Sequence, residues 1–313
     1  MEIKDSAKPA RRKLSTYFKR SDRPDRSEAW LAAVFLIPNI ILLIVFTYRP
    51  LIDNLRLSFT DWNISATSYT WVGLKNYAEW FTSPGTATVV MNTLIFTVAT
   101  VVGSLLLGLG LALVLDRRLH GRSFVRAVVF MPYVISGAAI GVAFQFVFDP
   151  SFGLISDLMA RIGKVAPDFY QVPEWALFMV TVTYIWKNLG YTFVIYLAAL
   201  QGRRTDLDEA AEIDGASRWR HLTRVLLPQL RPTTFFLSIT VLLNSMQVFD
   251  IINVMTKGGP EGNGTSTMVY QVYQETFMNQ RAGYGAAVAT IMFIILLIIT
   301  LVQVRYMQKG EQK

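Results

Sequence analysis

Apolar residues in this chain come in long blocks separated by short polar stretches. A helix needs about 20 mostly apolar residues to cross the hydrocarbon core of a bilayer. Six blocks meet that length, at about Trp30–Thr47, Val89–Leu115, Ala127–Phe148, Trp175–Leu200, Thr233–Met255 and Tyr284–Val304. The expected fold is therefore an all-α integral membrane protein with six transmembrane helices. The fourth and fifth blocks are the least clean, because they carry Lys187 and Asp250. A long basic tail precedes the first block and no small-residue cleavage site follows it, so it reads as a span and not as a signal peptide. This divides the chain into a tail (1–28), a six-span domain (29–305) and a second short tail (306–313).

Composition agrees with a membrane protein. Of 313 residues, 52% are hydrophobic and 17% charged, fewer charges than a soluble domain of this size carries. No Cys is present, and the two His, His120 and His221, sit beside Arg in polar stretches, so neither a metal site nor a catalytic constellation is expected. The net charge of +8 is spread over short loops that flank spans and face anionic lipid, with no nucleic-acid-binding module. Of the 30 basic residues, 22 fall on the side that holds both termini and the 116–126 and 202–231 loops, against 7 on the other. By the positive-inside rule both termini are cytoplasmic. The 48–88 segment on the opposite side carries Trp62, Trp71, Tyr77, Trp80 and Phe81, which read as an interfacial aromatic belt or as part of a docking face for an external protein.

The segment DLDEAAEIDGASRWRHLTRVLLPQLRP at 206–232 has dense helical signals. Asp206 is suited to cap a helix, Glu209-Ala210-Ala211 favour one, and Gly215 can end it. A second, basic amphipathic stretch places Trp219, Leu222, Val225 and Leu226 at helical spacing, before Leu227-Pro228 restricts the backbone. The pattern predicts a helix, a turn and a second helix outside the bilayer. Taken by itself it would also suit an interfacial hairpin that anchors the loop.

The spacing Glu209-Ala210-Ala211, Gly215, Val225, Leu227-Pro228 resembles the EAA loop of binding-protein-dependent ABC importer permeases. The likeness extends from about Ala29 to Arg305 and is to the carbohydrate-type MalF/UgpA group, through Pro38, Met131-Pro132 and Thr256-Lys257-Gly258-Gly259-Pro260. RPLIDNLRLSFTDWN at 49–63, WKNLGYTFVIYLAALQG at 186–202 and QVFDIINVMTKGGP at 247–260 are most similar to UgpA-type permeases, which import sn-glycerol 3-phosphate and glycerophosphodiesters. The resemblance implies a type I importer fold in which the 202–232 loop is a coupling helix seated in a cleft of an ATPase subunit. Ala210 and Ala211 would then allow close packing there, and Glu209 and Asp214 would meet polar or basic groups. It further implies a second permease (UgpE-like), a homodimeric ATPase (UgpC-like) that holds ATP and Mg, and an external binding protein (UgpB-like) docking on 48–88 and 257–283. This chain would bind no cofactor of its own. It has no G-x-x-x-x-G-K-[ST] phosphate loop, since Gly163-Lys164 lacks both flanking requirements.

Polar groups inside spans are costly in lipid and so are functional candidates. Tyr184, Lys187 and Tyr191 share a helical face, with Asn188 adjacent. Asn244, Gln247, Asp250 and Asn253 recur every three residues in span five. Together these eight can line a polar path, with Lys187 balancing an anionic phosphate. Alternatively Lys187 and Asp250 pair with each other or with the partner permease, and the Asn and Gln are interhelical glue. Gly103, Gly108 and Gly110 read as helix-packing positions. A di- or oligosaccharide importer and, in a different class, an ion-coupled secondary transporter remain alternatives. An intramembrane hydrolase lacks the His, Cys or Asp pair it would need.

Overall fold

The computed structural model describes residues 26–116, 122–260 and 263–311. The basic tail through residue 25, Arg117 and Arg118 of the 116–126 loop, and the final two residues lie outside the described set. The chain divides into two units, Met1–Asp53 and Asn54–Lys313.

The described part of the first unit is helical. α1 (Arg26–Leu43) passes through a π-helical turn (Ile44–Tyr48) into α2 (Arg49–Leu57). None of its apolar window is buried, and Phe35 and Phe46 are each more than 70% exposed. A continuous surface of this kind is stable against hydrocarbon and not against water.

The second unit is a helical bundle around α8 (Pro173–Gln201), whose buried residues run from Ala176 to Leu200. On it pack α4 (Pro84–Leu115), α5 (Arg122–Val134), α6 (Gly137–Val147), α12 (Arg231–Met246) and α13 (Asp250–Met255). α15 (Ala282–Glu311) closes the far side with α3 (Lys75–Thr82) and α14 (Met268–Tyr273). Two glycines set the spacing at the centre. A side chain at Gly108 would collide with Thr192, whose hydroxyl donates to Ser104 O at 2.9 Å across the α4–α8 seam. One at Gly190 would run into the backbone of Val129 and Phe130 in α5. Gly103 likewise faces Ile185, but Gly110 faces open space and is not a packing position.

Among the described residues, four helices are long and apolar enough to cross a membrane, or five if the bent pair α5–α6 counts as one span. This is fewer than the six expected. The exception is α8, 29 residues long and so about 43 Å at 1.5 Å per residue, but too polar by composition. Its neighbours surround it, so its side chains meet protein and need not be apolar. Two blocks expected to be continuous are broken. α5 and α6 meet at 101°, where Ser136 caps α6 by accepting from Ala139 N at 3.3 Å. α12 ends at Met246 and α13 begins at Asp250.

At the end of the bundle away from 202–231, the 54–83 and 257–283 segments fold into one body. Ile64 N donates to Gln280 O (3.2 Å), Gly283 N to Trp62 O (2.9 Å), and Arg281 pairs with Glu79. Trp80 lies in the core there, donating to Gln271 Oε1 at 3.1 Å, while Trp71 and Phe81 are exposed. The aromatic-belt expectation therefore fails for Trp80.

Gly190→Ala is expected to destabilise the detergent-solubilised protein by about 1–3 kcal/mol, because the clash is with backbone that cannot rotate away. Gly110→Ala is expected to be neutral or slightly stabilising, since alanine favours a helix by up to about 1 kcal/mol. Thermal unfolding followed by size-exclusion chromatography distinguishes the two.

Candidate functional site

The break between α5 and α6 opens an irregular recess of about 410 Å³ in the bundle. Six of the eight path candidates line it: Tyr184, Lys187 and Asn188 from α8, and Asn244, Gln247 and Asp250 from the α12–α13 region. Tyr133 and Val248 complete the wall. Tyr191 is one layer behind, stacked on the Tyr133 ring at 5.0 Å. Asn253 does not line the recess: the break at Gln247–Phe249 interrupts the helix on which a three-residue spacing would have carried it there.

Two opposite charges in this recess are held separately. Lys187 Nζ donates to Tyr133 O at 3.1 Å, near the C-terminal end of α5, and lies 5.3 Å from the Tyr133 ring centroid. Asp250 lies over Gly137, the first residue of α6, so closely that any side chain at 137 would collide with its carboxylate. The cation thus meets the negative end of one half-helix and the anion the positive end of the other. No Lys187–Asp250 ion pair closes within 4.0 Å. Asn188 is buried and donates to Tyr184 O (3.0 Å), whereas Asn244 and Gln247 are exposed to the opening. Tyr133 does not stand out in the sequence, because the 127–148 block reads as one span; Pro132 and the Ser136-Gly137 pair are the signals of the break.

The 202–232 loop forms α9 (Thr205–Ile213), a turn at Gly215, α10 (Arg218–His221), a π-helical turn (Leu222–Leu226) and α11 (Leu227–Gln229). Gly215 has φ +66°, and Ala216 N and Gly215 N donate to Ala211 O (3.0 Å) and Glu212 O (3.1 Å). This is the Schellman stop for which glycine is favoured. Asp206 is not the cap. It lies in the first turn, paired with Arg204 at 2.6 Å, and complements the helix N-terminus by its charge. Glu209, Ala210 and Asp214 are exposed, but Ala211 is buried within the chain and offers no outward packing surface. Trp219 is 73% exposed and so leaves the amphipathic face to Leu222 and Leu226, while Ile213 is 85% exposed. Leu227 and Pro228 turn inward, lining a groove with α4 and α12.

A compact ionic cluster sits behind this surface. Arg203 Nε donates to Asp208 Oδ2 (2.7 Å), its Nη1 to Asp116 Oδ2 (2.7 Å) and to Leu200 O (2.7 Å), and His221 Nε2 lies 2.9 Å from Asp208 Oδ1. Burial pushes the Asp208 carboxyl up, but hydrogen bonds from Arg203 and His221 outweigh it and hold it below its ordinary value of 3.8. A carboxyl with a depressed pKa stabilises the fold above its unfolded pKa and loses that contribution as pH falls through the folded one. Asp208→Asn is therefore expected to cost about 1–2 kcal/mol at neutral pH. The deficit should persist down to about pH 5 and narrow below 3.8, as checked by denaturation at a series of pH values.

Known proteins share this architecture. The permease protein UgpA of the sn-glycerol-3-phosphate transport system of Agrobacterium fabrum is 33% identical over 89% of this chain and 95% of its own. The "Probable starch degradation products transport system permease protein AmyD" of Thermoanaerobacterium thermosulfurigenes is 34% identical over 90% and 94%. A solved bacterial ABC transporter involved in the import of the acidic polysaccharide alginate matches with a TM-score of 0.79 at 25% identity, over 92% of this chain and 98% of that one. Residues 104–311 match the family model for the binding-protein-dependent transport system inner membrane component, and the chain, an ABC transporter permease, belongs to that family.

Proposed function

We propose that this chain is one half of the translocation path of an ATP-driven importer for glycerol 3-phosphate or glycerophosphodiesters such as glycerophosphocholine. The observation that carries the substrate reading is Lys187. Its ammonium is anchored on a neutral carbonyl beside an open recess, and its charge is not cancelled by a contact with Asp250. A cation so placed favours an anionic headgroup, while exposed Asn244 and Gln247 supply hydrogen bonds for the glycerol hydroxyls. The similarity to UgpA supports the same class. Family membership leaves no role for the ion-gradient alternative.

In this reading both termini and α9 face the cytoplasm. α9 is the coupling helix, presenting Glu209, Ala210, Ile213 and Asp214 to an ATPase partner, with Gly215 setting the turn beside them. ATP and Mg reside on that partner. A second permease completes the cavity, and an external binding protein delivers substrate onto the body formed by 54–83 and 257–283. ATP-driven closure of the ATPase dimer pushes α9, and the bundle tilts between inward- and outward-facing arrangements as rigid bodies. A second reading, a di- or oligosaccharide importer, is favoured by the stacked Tyr133–Tyr191 pair beside the recess and by the likeness to AmyD. Aromatic faces and amides serve sugars well.

The deciding measurement is ATPase stimulation and uptake by the complete complex in proteoliposomes, given glycerol 3-phosphate, glycerophosphocholine or a panel of disaccharides. A glycerol phosphate compound is expected to stimulate, and Lys187→Met to lower its uptake roughly tenfold or more through loss of a charge-assisted contact. Stimulation by a disaccharide alone would overturn the glycerol phosphate reading in favour of the second one.

A further inference from the structure

α9 is weakly attached by packing. Ala211 is its one buried side chain, and it packs chiefly against the 222–226 turn and not against the long helices. Its covalent link to α8 is the short stretch Gly202-Arg203-Arg204, where backbone rotation would let the helix swing freely. A helix that swings cannot transmit force, because a push on its outer face is lost in the hinge. Among the described residues, the hydrogen bonds and ion pairs that bridge α9 to the long helices are those of the Arg203 cluster.

Arg203 is built for that task. Its planar guanidinium holds three acceptors at once: Asp208 in α9, the Leu200 carbonyl at the end of α8, and Asp116, the residue that ends α4. The side chains of Arg203, Asp116 and Asp208 are only 20–23% exposed, so the contacts are less screened than surface pairs. Asp208 in turn holds His221, which draws α10 into the same cluster. Three segments thus meet on one fork, and a fourth joins them through Asp208. Lysine, a point charge on a flexible stem, could not replace such a fixed set of donors.

We infer that Arg203 is a positioning residue for coupling: it locks α9 to the ends of α4 and α8, so that a push on α9 moves both long helices instead of flexing the 202–204 hinge. This rests on the reading of α9 as the coupling helix. Arg203 need not touch substrate or nucleotide.

The test measures solute transported per ATP hydrolysed by the complete reconstituted complex, with assembly checked by size-exclusion chromatography. Arg203→Met and Asp116→Asn are each expected to lower that ratio about tenfold relative to wild type. The Asp116 variant keeps the test open should the Arg203 variant fail to assemble. The chain has no native Cys. A short bismaleimide joining the pair Arg203→Cys and Asp116→Cys should therefore bridge one defined site, and it is expected to restore most of the ratio, which loss of folding alone would not allow. Glu209→Lys, which alters the outer face of α9 and leaves the cluster intact, is the control for the underlying reading. A low ratio in Glu209→Lys with an unchanged ratio in both cluster variants overturns the role of Arg203 and leaves the coupling helix standing. An unchanged ratio in Glu209→Lys as well overturns the coupling-helix reading, and the proposal with it.

Discussion

A helix broken inside the hydrocarbon layer leaves carbonyl and N–H groups without partners, each at a cost of several kcal/mol unless protein supplies a substitute. The 101° turn between α5 and α6 is such a break, and the arrangement around it follows from satisfying it. Ser136 takes up one N–H of α6, Lys187 reaches from α8 to the Tyr133 carbonyl, and Asp250 covers the start of α6 from α13. Farther along α6, Gln145 Nε2 donates to Val254 O at 2.9 Å and ties that half-helix to α13. The two ions that make spans four and five the least clean of the apolar blocks therefore help to make the broken third span tolerable. The dependence is mutual, because each half-buried ion also needs the helix end it meets.

This constraint explains why the recess is polar and open. Had Lys187 and Asp250 closed on each other, the charges would have cancelled and the half-helix ends would have been left bare. Anchored separately, both charges line one cavity together with the exposed amides of Asn244 and Gln247. Gly137 is required for the same reason, since even a methyl group there would drive Asp250 away from α6.

The positions of the helices were legible in the sequence because a span needs only length and apolarity. The stop at Gly215 was legible because a left-handed residue after a helix calls for glycine at that point. The breaks were less so: apolar residues continue from Ala127 to Phe148 straight through the bend, and composition does not record direction. Asn253 was misplaced as a result, since its spacing from Asn244 and Gln247 held meaning only along an unbroken helix. Trp80 and Trp219 illustrate a second limit. Aromatic residues suit core, membrane interface and partner surface equally well, and only tertiary packing sent Trp80 inward and Trp219 outward. The Arg203 cluster was invisible because Asp116 and Arg203 are 87 residues apart and neither belongs to a motif.

The recess and the loop lie on one element. Lys187 and Arg203 are sixteen residues apart, so they are separated by about 24 Å along α8 and the turn that follows it. α8 is buried over most of its length and cannot bend without opening its seams with α4 and α5. At Gly190 it touches the α5 backbone, four residues before the α5 carbonyl that receives Lys187, so a shift of α8 acts directly on the lip of the recess. Side-chain packing alone would blur such a displacement, because rotamers can absorb it. Backbone contact at Gly190 and the short bonds of Arg203 leave little slack at either end. A lever needs a stiff arm with both ends fastened, and α8 has both.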